Sequence, residues 1–146
     1  MNDYPSAGLR LRSEPGVDPE VRIVCINFCK WLRTRINFPI RVVIYLKKDE
    51  QIKNRTTKEM VTATFFAPYE KDVEPYIHIA TGDYKDLIRE RGKIDALYAM
   101  LESIAHEICH YQPWLEDKEL EEEEAEEKGS QLVDEYAENI DSILEF

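Results

Sequence analysis

The chain has 146 residues, 43% hydrophobic and 34% charged, which is typical of one soluble globular domain and too short for two. Its formal net charge of −11 disfavours a nucleic acid as partner. No apolar run approaches the ~18 residues of a membrane helix, and residues 1–5 lack the features of a signal peptide. Three cysteines, an odd number, predict no disulfide framework. We therefore expect a cytoplasmic protein with no membrane partner.

The first elements along the chain are an arm and a helix. Residues 1–17 contain two prolines and two glycines with little periodicity, which predicts a flexible N-terminal arm before a domain over 18–146. Asp18 and Pro19 are typical of a helix start, as an N-cap and a first-turn proline. Apolar residues then recur at helical spacing until Pro39 ends the run.

Three segments predict a small sheet of about three strands. Residues 41–47 are rich in β-branched and aromatic side chains, and residues 62–66 and 76–81 form two similar runs. In the last run Ile77 and Ile79 share one face, and His78 lies on the other. We interpret His78 as a solvated strand residue or as a group that could assist an oxyanion.

The second half of the chain predicts helices. One is expected over residues 93–111, ended by Pro113, and another over residues 119–144. Helix, strands and helices in this order predict an α+β domain, with the sheet packed on these two helices.

Residues 105–111 carry the most informative motif, His-Glu-x-x-His, at His106, Glu107 and His110. Positions i and i+4 lie one turn apart on a helix face, so both imidazoles can bind one metal ion. The glutamate beside the first histidine can then take a proton from water whose pKa a metal lowers. Helical projection puts both histidines opposite the apolar side, above the small residues Ala99 and Ser103. The motif predicts a metal-dependent hydrolase.

A third ligand must come from elsewhere, because no histidine follows His110. The next candidates are carboxylates in residues 115–127, which hold nine acids and one lysine. Glu122 projects about 20° from the centre of the apolar stripe of the last helix, Glu121 about 80° and Glu124 about 140°. Glu122 is therefore favoured, with Glu124 and Glu121 as alternatives.

The motif together with Glu122 resembles the gluzincins, the thermolysin and neprilysin type of zinc metallopeptidase, in a minimal single-domain form. The resemblance covers roughly residues 76–136 and implies a zincin-like fold. It implies Zn²⁺ held by His106, His110 and Glu122, with Glu107 as general base and Glu126 as a supporting acid. It also implies a peptide or protein substrate bound along an edge strand, for which we expect residues 77–81.

Two alternatives to a zinc metallopeptidase remain. The first is a zinc-binding regulatory or interaction module with little or no general proteolytic activity. The second is an acidic helical interaction protein without metal, in which both histidines lie on the surface of an amphipathic helix. Metal analysis separates the second alternative from the other two hypotheses, and cleavage of an unfolded protein separates the peptidase from the module.

Overall fold

A computed structural model describes residues 7–54, 56–119 and 121–144. Within them the chain is a mixed α+β structure, as predicted. Its strands are β1 (Leu9–Ser13), β2 (Val42–Lys47), β3 (Ile52–Lys53), β4 (Met60–Val61), β5 (Ala63–Phe66) and β6 (Tyr76–Ala80). Its helices are α1 (Pro19–Arg35), α2 (Tyr84–Arg91), α3 (Lys93–Ile108), α4 (Tyr111–Leu115) and α5 (Glu122–Glu138).

Four strands form the main sheet, in the order β1-β2-β6-β5. Strands β1, β2 and β6 are parallel, and β5 pairs antiparallel with β6. Strands β3 and β4 form a separate antiparallel pair. The three predicted strand segments are all present, and the main sheet has one strand more than expected.

The prediction that residues 77–81 form an edge strand is wrong. Strand β6 covers this segment and lies inside the sheet, between β2 and β5. Strand β5 precedes β6, is joined to it by residues 67–75, and pairs antiparallel beside it with Ala63 opposite Ile79. Because β2 already occupies the other side of β6, β5 takes the outer position. The edge strand nearest α3 is therefore β5.

The expected flexible arm over residues 1–17 also needs correction. Residues 1–6 lie outside the described residues, but Leu9–Ser13 forms strand β1 and pairs in parallel with β2. Leu9 is fully buried while Arg10 and Arg12 are exposed. This alternation of apolar and basic side chains lets one side of a five-residue strand join the core.

One face of the sheet and two helices enclose the core. The fully buried side chains of the sheet include Leu9, Val42, Ile44, Leu46, Ile77 and Ile79. Helices α1 and α3 pack on the sheet, and α5 packs along α3. Cys25 and Cys29 are buried free thiols of α1. None of the helices in the described part of the chain is long and apolar enough to cross a membrane.

The two C-terminal helices are shorter than predicted. Helix α3 ends at Ile108, and Pro113 lies inside the short helix α4, in a first turn where its missing N–H costs no hydrogen bond. Asp117 then adopts a positive φ of 56° and turns the chain toward α5. Helix α5 begins at Glu122 and ends at Glu138, within the expected range of 119–144.

Tyr111 fixes the chain just after the motif. Its buried hydroxyl accepts a hydrogen bond from Ile40 N at 3.0 Å and donates one to Ile40 O. Replacing Tyr111 with phenylalanine leaves both backbone groups without this partner. We expect a loss of about 1–3 kcal/mol in the free energy of unfolding, measured by urea denaturation. A loss below the error of the measurement would contradict this role.

Candidate metal centre

Helix α3 and the turn after it present two imidazoles on the same side. His106 lies in the last turn of α3, and His110 follows its end with helical backbone angles. The N–H of Cys109 still donates to Ala105 O, so the helical path continues past Ile108. The two imidazole centroids lie 5.5 Å apart. The i and i+4 spacing therefore brings both rings together, as predicted.

Glu122, the first residue of α5, lies against both histidines. Its Oε2 is 2.7 Å from His106 Nε2, and its Oε1 is 3.2 Å from His110 Nε2. The histidine side chains are 25% and 19% exposed, and that of Glu122 is 77% exposed. The group is thus half-buried on the histidine side and open to solvent on the other.

Neither alternative glutamate, Glu124 or Glu121, belongs to this converging group. Glu124 lines a different cavity with Cys109 and Lys128. Glu121 caps α5, where its carbonyl accepts the N–H of Ala125. The preference for Glu122 from helical phase is therefore in agreement with the geometry, although α5 begins three residues later than expected.

The donor set has a composition that is typical of metal sites. One ligand atom from each of His106, His110 and Glu122 lies within 4.8 Å of the others. Ligand atoms of a tetrahedral zinc ion lie roughly 3.3–3.6 Å from one another, given metal–ligand distances of about 2.0–2.2 Å. Burial lowers the pKa of His110, which favours the neutral imidazole that binds metals. Two imidazoles and a carboxylate that converge in this way could hold a divalent metal ion.

Glu107 lies beside this group and is buried, with 8% of its surface exposed. Burial raises the pKa of Glu107 to about 7, the charge of His106 opposes this rise, and that of Glu122 adds to it. Glu107 lines the same two cavities as Glu122. Glu107 is thus a largely desolvated carboxyl group at the edge of an open cleft.

A cleft passes on both sides of Glu107 and Glu122. One cavity of about 710 Å³ is lined by Ala99, Ser103 and His106, which confirms that small residues leave room beside the first histidine. A second cavity of about 740 Å³ is lined by His110, and by Phe65 and Trp114. The contributions of β5 and Trp114 to this cavity were not predicted, because residues 67–75 separate β5 from β6 and no short hairpin turn marks their pairing.

Two weaker expectations have different outcomes. Glu126 lines the same cavity as His106, but no hydrogen bond joins these two side chains, both of which are described. His78 lies beside the rings of Tyr45 and Tyr76. It is on the opposite face of β6 from the buried Ile77 and Ile79. His78 lines neither of the two cavities beside Glu107, which favours its interpretation as a strand residue outside the candidate centre.

Gly129 allows the close approach of α5 to α3. A Cβ atom added at Gly129 would lie 3.0 Å from His106 N and 3.1 Å from His106 Cα, closer than backbone atoms readily accept. Alanine favours helix by up to ~1 kcal/mol over glycine, whereas overpacking costs about 1–3 kcal/mol. We expect Gly129→Ala to lower the melting temperature and to weaken zinc binding, because α5 carries Glu122.

The matched control is Lys128→Ala, which changes an exposed neighbour on the same helix. Thermal denaturation and zinc titration should leave this variant close to the parent. A Gly129→Ala protein that is more stable than the parent, as helix propensity alone predicts, would contradict the close-packing argument.

Models of known protein families, curated proteins and solved structures were compared with the chain, and none of them matches it.

Proposed function

We propose that the protein is a zinc-dependent metallopeptidase with a zincin-like fold, of the minimal gluzincin kind. The single observation that carries this proposal is the convergence of His106, His110 and Glu122 beside the buried Glu107. These four residues supply two imidazole ligands, one carboxylate ligand and one general base. The motif spacing and the helix phase pointed to the same four residues independently of the geometry.

Each residue has a distinct part in the proposed hydrolysis. A bound zinc ion would lower the pKa of water and polarise the peptide carbonyl. His106, His110 and Glu122 would hold the ion through two imidazole nitrogens and a carboxylate oxygen. Glu107 takes the proton of the attacking water and delivers it to the leaving amine, as a general base that becomes a general acid.

The proposed substrate is an extended peptide that pairs with the outer edge of β5. This strand lines the cleft through Ala63, Thr64 and Phe65, beside Glu107 and His110. Main-chain hydrogen bonds to an edge strand bind a peptide irrespective of its side chains. The cavities on either side of Glu107 would then receive side chains of the substrate.

Cleavage of an unfolded protein tests the peptidase proposal. Reduced, carboxymethylated casein incubated with the zinc-loaded protein should yield new peptides, detected by mass spectrometry. Chelator should stop the cleavage, and added zinc should restore it. Stoichiometric zinc binding without cleavage of casein or of a diverse peptide library would contradict peptidase activity and favour the regulatory module.

Bound metal should also stabilise the fold. A shared ion would connect α3 to α5, which are otherwise joined by residues 109–121 and by helix packing. We expect chelation to lower the melting temperature of protein shown beforehand to contain zinc, and re-addition of zinc to restore it. Identical melting curves with and without chelator would contradict this connection.

A further inference from the structure

A groove far along the sheet from the candidate centre is lined by basic side chains. It lies beside β1, the edge strand opposite β5, and has a volume of about 770 Å³. Five cations of β1, of α1 and of the position just before β2 line it: Arg10, Arg12, Lys30, Arg33 and Arg41. Of the described residues, Glu74 is the one acid in this lining.

This concentration of positive charge contrasts with the rest of the chain. Residues 1–48 contain nine Lys or Arg and four Asp or Glu. Residues 49–146 contain ten Lys or Arg and twenty-six Asp or Glu. Like charges that line one groove repel each other. The acids that give the chain its net negative charge lie mostly in residues 49–146. An anion bound in the groove would relieve this repulsion.

Two of the guanidinium groups are held in place by the fold. Arg33 Nε donates to Leu9 O at 2.8 Å. Arg41 donates from Nε and Nη2 to one carboxylate oxygen of Glu74, at 3.1 and 2.8 Å. A guanidinium has five N–H groups, so these contacts leave further donors on both arginines. Such fixed, planar donors match the oxygens of a phosphate group.

The groove also has an apolar wall. Ile26 of α1 and Val43 and Tyr45 of β2 line it together with the cations. A ligand that combines phosphate groups with an aromatic ring would contact both kinds of surface. Nucleotides have this combination, and aromatic side chains beside arginines are a frequent surface for bases.

We propose that this groove binds the phosphate groups of a nucleotide, either free or within a single-stranded nucleic acid. The proposal goes beyond the proposed peptidase function and does not depend on the metal centre. The net charge of −11 disfavours a nucleic acid for the chain as a whole, but the local charge of the groove has the opposite sign.

Fluorescence anisotropy with two probes tests the proposal on the chain of 146 residues. One probe is a fluorescent nucleoside triphosphate, the other is a labelled single-stranded oligonucleotide, and inorganic triphosphate serves as competitor. We expect saturable binding that weakens as salt rises. The double variant Arg10→Gln/Arg12→Gln should bind at least about tenfold more weakly, because two phosphate contacts are lost.

The matched control is Arg22→Gln/Lys85→Gln, which removes two exposed cations that do not line the groove. Tighter binding of the triphosphate indicates a free nucleotide, tighter binding of the oligonucleotide indicates a nucleic acid, and either supports the proposal. Absence of saturable binding of both probes, or equal weakening in the groove and control variants, would overturn it. Zinc content, measured in parallel, should be the same in all three proteins.

Discussion

Replacing Glu107 with glutamine should abolish hydrolysis and leave zinc binding unchanged. The amide has the shape of the carboxylate but cannot accept the proton of the attacking water. Removal of a general base typically costs about 10²–10⁴-fold in rate. Glu107 is not one of the three converging ligands, so the zinc content of the variant should equal that of the parent. The measurement is the rate of casein cleavage per zinc-loaded protein molecule.

The control for this variant is Glu123→Gln, which makes the same chemical change at an exposed position of α5. It should cleave casein at the parental rate. If Glu107→Gln retained parental activity, Glu107 would have no part in the mechanism. If it lost zinc as well as activity, its role would be structural, and the assignment as general base would be wrong.

Loss of Glu122 should have the largest effect on metal affinity among the glutamates of α5. Glu122→Ala removes one of three protein ligands and leaves two histidines. We expect zinc affinity to fall by more than the ~10–100-fold typical of losing a residue that only orients a ligand. Zinc dissociation constants, measured by competition with a chromophoric chelator, check this expectation.

Glu124→Ala is the matched control, because the same change is made two residues away on the same helix. Glu124 lines the cavity on the other side of α5, so its loss should leave zinc affinity close to the parental value. The zinc affinity of Glu126→Ala should lie between those of the other two variants, since Glu126 lines the cavity beside His106 without a hydrogen bond to it. A larger loss in Glu124→Ala than in Glu122→Ala would overturn the ligand assignment.

Much of the fold could be predicted from local pattern. The N-cap at Asp18 is confirmed by its carboxylate, which accepts the N–H of Glu20 at 2.8 Å. Strand order could not be predicted, because it depends on which strands pair across long connections. Strand β6 looked like an edge, yet β2 and β5 pair on its two sides. The five residues of β1 were missed because nearby prolines and glycines obscured their alternation.

The candidate site could be predicted more fully than the sheet. The pairing of the two histidines depends on the geometry of one helix turn, and the orientation of Glu122 depends on the phase of a second helix. Both are local properties of the sequence. Contacts between distant segments could not be read in this way. Neither the backbone approach of Gly129 to His106 nor the contribution of β5 to the cleft has a local signal that ties it to the motif.

Metal content tests most directly whether His106, His110 and Glu122 hold zinc. The protein should be purified without a histidine tag and analysed by native and inductively coupled plasma mass spectrometry. We predict about one zinc ion per chain, lost in a His106→Ala/His110→Ala variant that remains folded by circular dichroism. A parent protein with no more zinc than this folded double variant, even after incubation with zinc and dialysis, would contradict the account.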